Sequence, residues 1–295
     1  MNQPIKLNGK AVADEICRNL KYRVDMLKAR GVSPVLTIVT SGEDAASQTY
    51  VKNKVRRAEE IGIKIDVRHC PRLDDWDISL LRAASSNPII VQEPITGFID
   101  HNNVAELLPA SFDVDGFSDY NVAKIASGLE PLNYPCTPKG ILRLLDYYNI
   151  VLDGARVCII GRSNIVGRPL SWMMTNRNAT VTLCNSFTSE KNLYNIIRDS
   201  DIIVSAVGQP EFLKKTRGDI VSGYSINWAE KTFVDVGINR LDGHLCGDIH
   251  PSIYEASYAY TPVPGGVGPM TVAMLMENVV RYYERIIYEG IKRKG

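Results

Sequence analysis

The sequence predicts an α/β protein of two lobes, each a parallel sheet covered by helices. Strand and helix patterns alternate through the first hundred residues, the mark of parallel strands joined by helical crossovers. In the second half, three apolar runs (156–161, 201–208 and 232–237) each stop at a glycine, as strands do when their C-terminal ends face a ligand. Between the halves, closely spaced prolines over 131–138 break the pattern and mark a connector.

The elements follow in order. Val12, Ile16, Leu20, Val24 and Leu27 recur every three or four residues, so 10–29 reads as an amphipathic helix ended by Gly31. Residues 35–40 form a buried strand, 41–46 a turn of small residues, and 47–61 a helix that stops at Gly62. A strand over 64–70, a short helix over 77–85 and a third strand over 89–92, cut off by Pro94, complete the first lobe. After the proline-rich break, 141–148 is a helix. The second lobe opens with a strand at Arg156, a helix over 170–174 and a strand over 179–184. A Pro/Gly-rich loop over 261–269 leads into a long helix over 270–288 that returns to the first lobe. The implied division is 1–145 with 270–295, and 146–269.

Composition narrows the function. With 45% hydrophobic and 23% charged residues among 295, the chain has the balance of a soluble globular protein. A net charge of +1 offers no broad basic field for nucleic acid or an anionic membrane. Six cysteines are scattered without C-x-x-C pairs, which points to a reducing, cytoplasmic setting rather than a disulfide framework. His69, His101, His244 and His250 show no ligand spacing, so no metal is expected.

The segment Gly161-Arg162-Ser163-Asn164-Ile165-Val166-Gly167-Arg168-Pro169 organises the second lobe. A strand that ends in glycine and restarts as a helix aims backbone N–H groups and a positive dipole end at the turn, which suits a phosphate. Ser163 occupies the middle position of the usual G-x-G-x-x-G, so the spacing also fits an ordinary strand-to-helix turn. The next strand ends in Cys184-Asn185-Ser186-Phe187-Thr188, with no carboxylate where an acid usually holds the ribose 2′-hydroxyl of NAD. A missing acid beside Arg162 favours NADP over NAD.

Other candidates are less specific by spacing. Tyr50 and Lys54 lie four apart in a helix and share a face; a desolvated lysine there is a candidate base, while the neighbouring Lys52, Arg56 and Arg57 fit a solvated surface. Gln92 ends a buried strand where parallel sheets bind ligands. Asp113 and Asp115 flank Val114 and share one side of an extended segment, unless a turn at Asp115-Gly116 separates them. The loop Thr261-Pro262-Val263-Pro264-Gly265-Gly266-Val267-Gly268-Pro269-Met270-Thr271 is stiffened by proline and opened by glycine to the approach of a flat ligand.

Together these segments resemble the bifunctional methylenetetrahydrofolate dehydrogenase/cyclohydrolase family. Tyr50-x-x-x-Lys54, Val91-Gln92, Asp113-Val114-Asp115-Gly116-Phe117, Pro135-Cys136-Thr137-Pro138-Lys139-Gly140, the Gly161–Pro169 turn, Val236-Gly237-Ile238-Asn239 and the Thr261–Thr271 loop occur in the family's order across nearly the whole chain. The resemblance implies NADP-dependent oxidation of 5,10-methylenetetrahydrofolate, hydrolysis of the methenyl product to 10-formyltetrahydrofolate, and a homodimer formed through the second lobe. It implies a Rossmann-like NADP-binding domain and a folate site in the cleft between lobes. Lys54 then matches the catalytic lysine, Gln92 orients it, Tyr50 stacks near the pterin and Asp115 holds the pterin's amino edge. Arg162 and Ser186 match the receivers of the 2′-phosphate, with Gly161, Ser163, Ile165 and Ile238 lining the cofactor site. Pro262, Gly265, Gly266 and Thr271 match the substrate loop.

One departure stands beside the catalytic pair. The family continues Val-Gln-Leu-Pro-Leu-Pro, whereas this chain reads Val91-Gln92-Glu93-Pro94-Ile95-Thr96. On the strand Glu93 should face the side opposite Gln92, which leaves the catalytic pair intact. Turned into the cleft by the loop instead, it would pair with Lys54, keep it protonated and leave a dehydrogenase with a weakened cyclohydrolase. A non-catalytic folate- or nucleotide-binding regulator is the remaining alternative, and it has little need of a base.

Overall fold

The computed structural model describes residues 3–40, 45–69, 87–92, 101–221 and 226–292. The expected helix over 77–85, the turn at 41–44 and the Glu93–Thr96 departure lie outside the described residues. The chain groups into two compact units, one of 1–13 with 137–271 and one of 14–136 with 272–295. This grouping differs from the division at 146 and 270 expected above. Residues 1–13 fall with the later segment because strand β1 (Ile5–Lys6) pairs in parallel with β11 (Ala259–Tyr260).

In the 14–136 unit, α1 (Gly9–Ala29) leads to β2 (Val35–Thr40), α2 (Ala45–Ile61), β3 (Lys64–His69) and β4 (Ile89–Gln92). The sheet order is β3-β2-β4, all parallel. The central strand is apolar because helices or loops cover both its faces; Leu36, Ile38 and Val39 are buried. Helices α3 (His101–Leu107) and α4 (Asp119–Ala126) follow. Val104, Ala105 and Leu108 join Val39, Ile89, Val91 and Phe117 in one core cluster. Late in the chain, Tyr283 closes this unit, donating its hydroxyl to Val35 O at 3.0 Å and accepting Val35 N–H at 3.1 Å.

The other unit carries a six-stranded parallel sheet of order β1-β11-β8-β7-β5-β6. Its strands are β5 (Arg156–Ile160), β6 (Thr180–Cys184), β7 (Ile202–Ser205) and β8 (Thr232–Asp235), besides β1 and β11. Helix α5 (Cys136–Tyr147) enters this unit. It starts five residues before the sequence-based helix, since Pro138 is tolerated in a first turn whose N–H groups lack partners. Helices α6 (Gly167–Thr175), α7 (Glu190–Asp199) and α8 (Lys215–Val221) alternate with the strands. A hairpin of β9 (Asn239–Leu241) and β10 (His244–Cys246), the short α9 (Pro251–Tyr254) and the terminal α10 (Val267–Lys292) complete the chain. The core packs Ile160, Ile203, Ile197, Tyr194, Trp228 and Phe233. Among the described residues no helix is long and apolar enough to cross a membrane.

Candidate active site

Each sheet reverses its winding once, and the candidate residues gather at those reversals. In the smaller sheet β2 is flanked by β3 on one side and β4 on the other, so crossovers leave in opposite directions and open a crevice at the strand C-termini. Thr40 and Gln92 stand level at that edge. Helix α2, the crossover that follows β2, carries Lys54. Its Nζ donates to Gln92 Oε1 at 2.8 Å. Gln92 is 8% exposed, and Lys54 is partly covered along its length, yet its amine end is enclosed. Burial therefore pushes the Lys54 pKa below the ordinary lysine value, with Asp115 and Cys136 pulling the other way. Two residues 38 apart in sequence thus form one polar pair. Tyr50 lies in α2 one turn earlier, but its side chain is outside the described residues.

The aspartates part company. Asp113 is fully buried and accepts Gly116 N–H at 2.7 Å, Ser118 N–H at 2.8 Å and Asn121 Nδ2 at 2.9 Å. Burial raises its pKa against those donors, and its work is to fold the turn. Asp115 is half-buried and close enough to Lys54 to act on its charge. Gly116 has φ +82, and a Cβ there would come within 2.5 Å of Tyr134 C. The turn that separates the two carboxylates therefore requires glycine. Asn278, which sequence reasoning missed, donates to Val114 O at 2.9 Å and Tyr134 O at 3.1 Å, tying that turn to the segment Gly116 packs against.

The larger sheet reverses at β5, with β6 on one side and β7 on the other. At the C-terminal ends of these strands lies a cleft of ≈ 560 Å³ whose walls include Gly161, Arg162, Ser186, Val207 and Gln209. Gly161 has φ +113, and a Cβ there would meet Ala206 O at 2.3 Å; one on Gly167 would meet Gly161 O at 1.8 Å. Both glycines let strand, turn and helix touch backbone to backbone. Ser163 builds the turn as well, its hydroxyl accepting Val166 N–H at 3.1 Å. Ser163, Ile165 and Ile238 are exposed and are not among the cleft walls; Ile238 is on the loop after β8.

This cleft fits an NADP phosphate. Arg162 is exposed and makes no ion pair among the described residues, its guanidinium lying 5.9 Å over the Phe187 ring. Asn185 Oδ1 accepts Phe187 N–H at 2.9 Å, a turn that presents Ser186. The acid that sequence reasoning did not consider, Glu190, also lines the cleft, but Arg217 holds its carboxylate and keeps its pKa low. Among the described residues that line this cleft, Glu190 is the one carboxylate, and it is paired.

In the Pro/Gly loop, Gly265 O accepts Lys10 N–H at 2.9 Å. A Cβ on Gly9 would meet Gly266 O at 1.9 Å, and one on Gly266 would meet Pro262 O at 2.6 Å, so Gly266 serves close packing. Thr271 shares a 3.0 Å hydrogen bond between hydroxyls with Thr137. The structure thus brings Lys54, Gln92 and Asp115 together, and Gly161, Arg162 and Ser186 together. Pro262, Gly265, Gly266 and Thr271 belong with the second group's unit.

The chain is similar to known proteins in both sequence and fold. Residues 7–115 match the catalytic domain, and residues 135–287 the NAD(P)-binding domain, of tetrahydrofolate dehydrogenase/cyclohydrolase. The bifunctional protein FolD of Campylobacter concisus is 43% identical over 283 residues, covering 93% of this chain and 95% of that protein. The crystal structure of the bifunctional FolD enzyme of Campylobacter jejuni aligns with a TM-score of 0.87 at 38% identity, over 95% of this chain and 98% of that one. The Trypanosoma brucei enzyme, solved with NADP and an inhibitor, aligns with a TM-score of 0.86 at 29% identity, over 97% and 99% of the two chains. With both of its domains matched over most of the chain and a FolD relative 43% identical over 93% of it, the chain belongs to the tetrahydrofolate dehydrogenase/cyclohydrolase family.

Proposed function

We propose that Lys54, held by Gln92, is the proton-transfer group of a bifunctional enzyme. The enzyme oxidises 5,10-methylenetetrahydrofolate with NADP and hydrolyses the methenyl product to 10-formyltetrahydrofolate. The observation that carries this reading is the 2.8 Å contact between Nζ and Oε1, made by an amine whose burial disfavours its charge. A neutral amine does not repel the methenyl cation, and it can take a proton from the water that attacks it. Gln92 accepts one amine hydrogen and so fixes the direction of the lone pair. The resulting ammonium returns its proton to the folate nitrogen released on ring opening. The adduct's hydroxyl loses its own proton to the freed amine and then to solvent as the formyl C=O forms, so one proton is released overall. Asp115, an acceptor only when ionised, suits the amino edge of the pterin.

The dinucleotide, when bound, supplies the hydride acceptor. The chain holds it through Arg162 and Ser186 at the 2′-phosphate, with Gly161, Ser163, Ile165 and Ile238 around the rest. Folate chemistry is assigned to the 14–136 unit, and dinucleotide binding to the 137–271 unit. Pro262, Gly265, Gly266 and Thr271 serve the folate, with Tyr50 against the pterin. The same reading makes the enzyme a cytoplasmic homodimer; the free state of Cys17, Cys136, Cys158, Cys184 and Cys246 suits a reducing compartment, and sedimentation equilibrium tests the dimer. Paired assays test the central claim. Lys54→Met should abolish methenyl hydrolysis above the spontaneous rate while folate binding persists, and an unchanged hydrolysis rate would refute the role.

A further inference from the structure

Two buried carboxylates that the chemistry above does not use lie beneath the ends of β7 and β8. Asp248 Oδ2 accepts Val207 N–H at 2.7 Å, Gly208 N–H at 3.3 Å and the Ser205 hydroxyl at 3.3 Å. Its Oδ1 accepts Gln209 N–H at 3.0 Å and Asn239 Nδ2 at 2.9 Å. Asp235 accepts the N–H groups of Gly237, Asp248 and Ile249 and the Tyr254 hydroxyl. The carboxylates are seated on glycines: a Cβ on Gly237 would come within 2.1 Å of Asp248 Oδ1, and one on Gly247 within 2.0 Å of Asp235 Oδ2.

Asp248 is 0% exposed, so a loosened donor here has no water to turn to. The three consecutive N–H groups it gathers belong to the segment whose Val207 and Gln209 form a cleft wall. With those groups turned inward, this wall has no N–H left for phosphate, and anion binding falls to the Arg162 side. Through Gly237 and Asn239 the same carboxylate also seats the loop that bears Ile238. We infer that Asp248 is a positioning residue for the dinucleotide, shaping the two loops that receive the end remote from the 2′-phosphate. The inference rests on the assignment of this cleft to NADP made above.

Asp248→Asn replaces one acceptor oxygen with a donor, so one of the two donor sets faces another N–H. The KM for NADP should rise about tenfold or more while dehydrogenase kcat falls less. Methenyl hydrolysis, which uses no dinucleotide, should stay within about twofold. Gly208→Ala is a second perturbation that spares the core. Gly208 has φ +66 and nothing within 4 Å of an added Cβ, so alanine strains only the loop backbone and should raise the KM for NADP about threefold to tenfold. Folded Asp248→Asn with a wild-type KM for NADP, or with hydrolysis and NADP affinity falling together, would overturn the inference. Gly208→Ala with wild-type affinity would do the same, and it decides alone if Asp248→Asn does not fold. A wild-type chain that binds no NADP would overturn the cleft assignment itself, and the inference with it.

Discussion

Substituting Gln92→Glu tests whether the uncharged form of Lys54 does the work. The substitution puts a carboxylate where an amide oxygen now lies 2.8 Å from Nζ. Opposite unit charges about 4 Å apart at an effective dielectric of about 20 attract by about 4 kcal/mol, equivalent to about 3 pH units. Burying the new carboxylate offsets part of that, leaving an expected rise of about one to two units in the Lys54 pKa. The neutral fraction at a given pH below that value then falls about 10–100-fold, and methenyl hydrolysis with it. Raising the pH should restore the rate, so the whole profile moves to higher pH. NADPH formation should change by no more than about threefold, because hydride transfer asks only that the rings be held in contact. Gln92→Met is the companion: it removes the acceptor without adding charge, so the rate should drop with no alkaline displacement. The assay is loss of methenyl absorbance across pH beside NADPH formation on the same preparations. Wild-type pH dependence in Gln92→Glu would refute the reasoning.

Three further outcomes are expected. Arg162→Ala should weaken NADP binding about 10–100-fold and NAD binding by about twofold or less; titration calorimetry with both dinucleotides checks this, and equal losses would remove the 2′-phosphate assignment. Gly167→Ala drives a Cβ to 1.8 Å from Gly161 O, a backbone atom that cannot step aside, so the 137–271 unit should lose about 2–3 kcal/mol or more; an unchanged melting curve would contradict the packing described. Asp235 has its pKa raised by burial to about 6 from 3.8. The folded chain therefore holds that proton more tightly than the unfolded one. The contribution is full below pH 3.8 and is lost as pH rises through 6, by about 3 kcal/mol at most. Denaturant titrations from pH 4 to 7 should show that slope in the wild type and a flatter one in Asp235→Asn; parallel slopes would rule it out.

Much of this arrangement is legible in the sequence because it is local. The apolar runs of β5, β7 and β8 stop at glycines, and Gly161 and Gly167 bracket a turn only glycine permits. Lys54 and Gln92 come from different elements, and spacing alone cannot join them; motif order does, and the parallel register of β2 with β4 supplies the physical reason. Strands β1 and β11 are two residues long, too short for any periodicity. Helix α7 was within reach, since Ser189 accepts Asn192 N–H as its N-cap and Leu193, Tyr194 and Ile197 mark its buried face. Asp235 reads in the sequence as a lone acid within an apolar strand and Asp248 as a loop acid, and their roles exist only once distant loops fold over them. Asp113 and Asp115 look equivalent until the chain turns at Gly116, whose N–H folds back onto Asp113 while Asp115 stays near Lys54.

Both units are assembled from the chain's two ends: 1–13 joins 137–271, and 14–136 joins 272–295. A ribosome must therefore deliver almost the entire polypeptide before either body is whole. The β11 segment that pairs with β1 and the tyrosine that clasps Val35 are made more than 200 residues after their partners. Nascent chains wait with an unfinished sheet border exposed, a state that favours chaperone capture over early domain-by-domain maturation. A chain cut short within 272–295 would thus leave the 14–136 unit incomplete, and no single cut would yield two whole lobes.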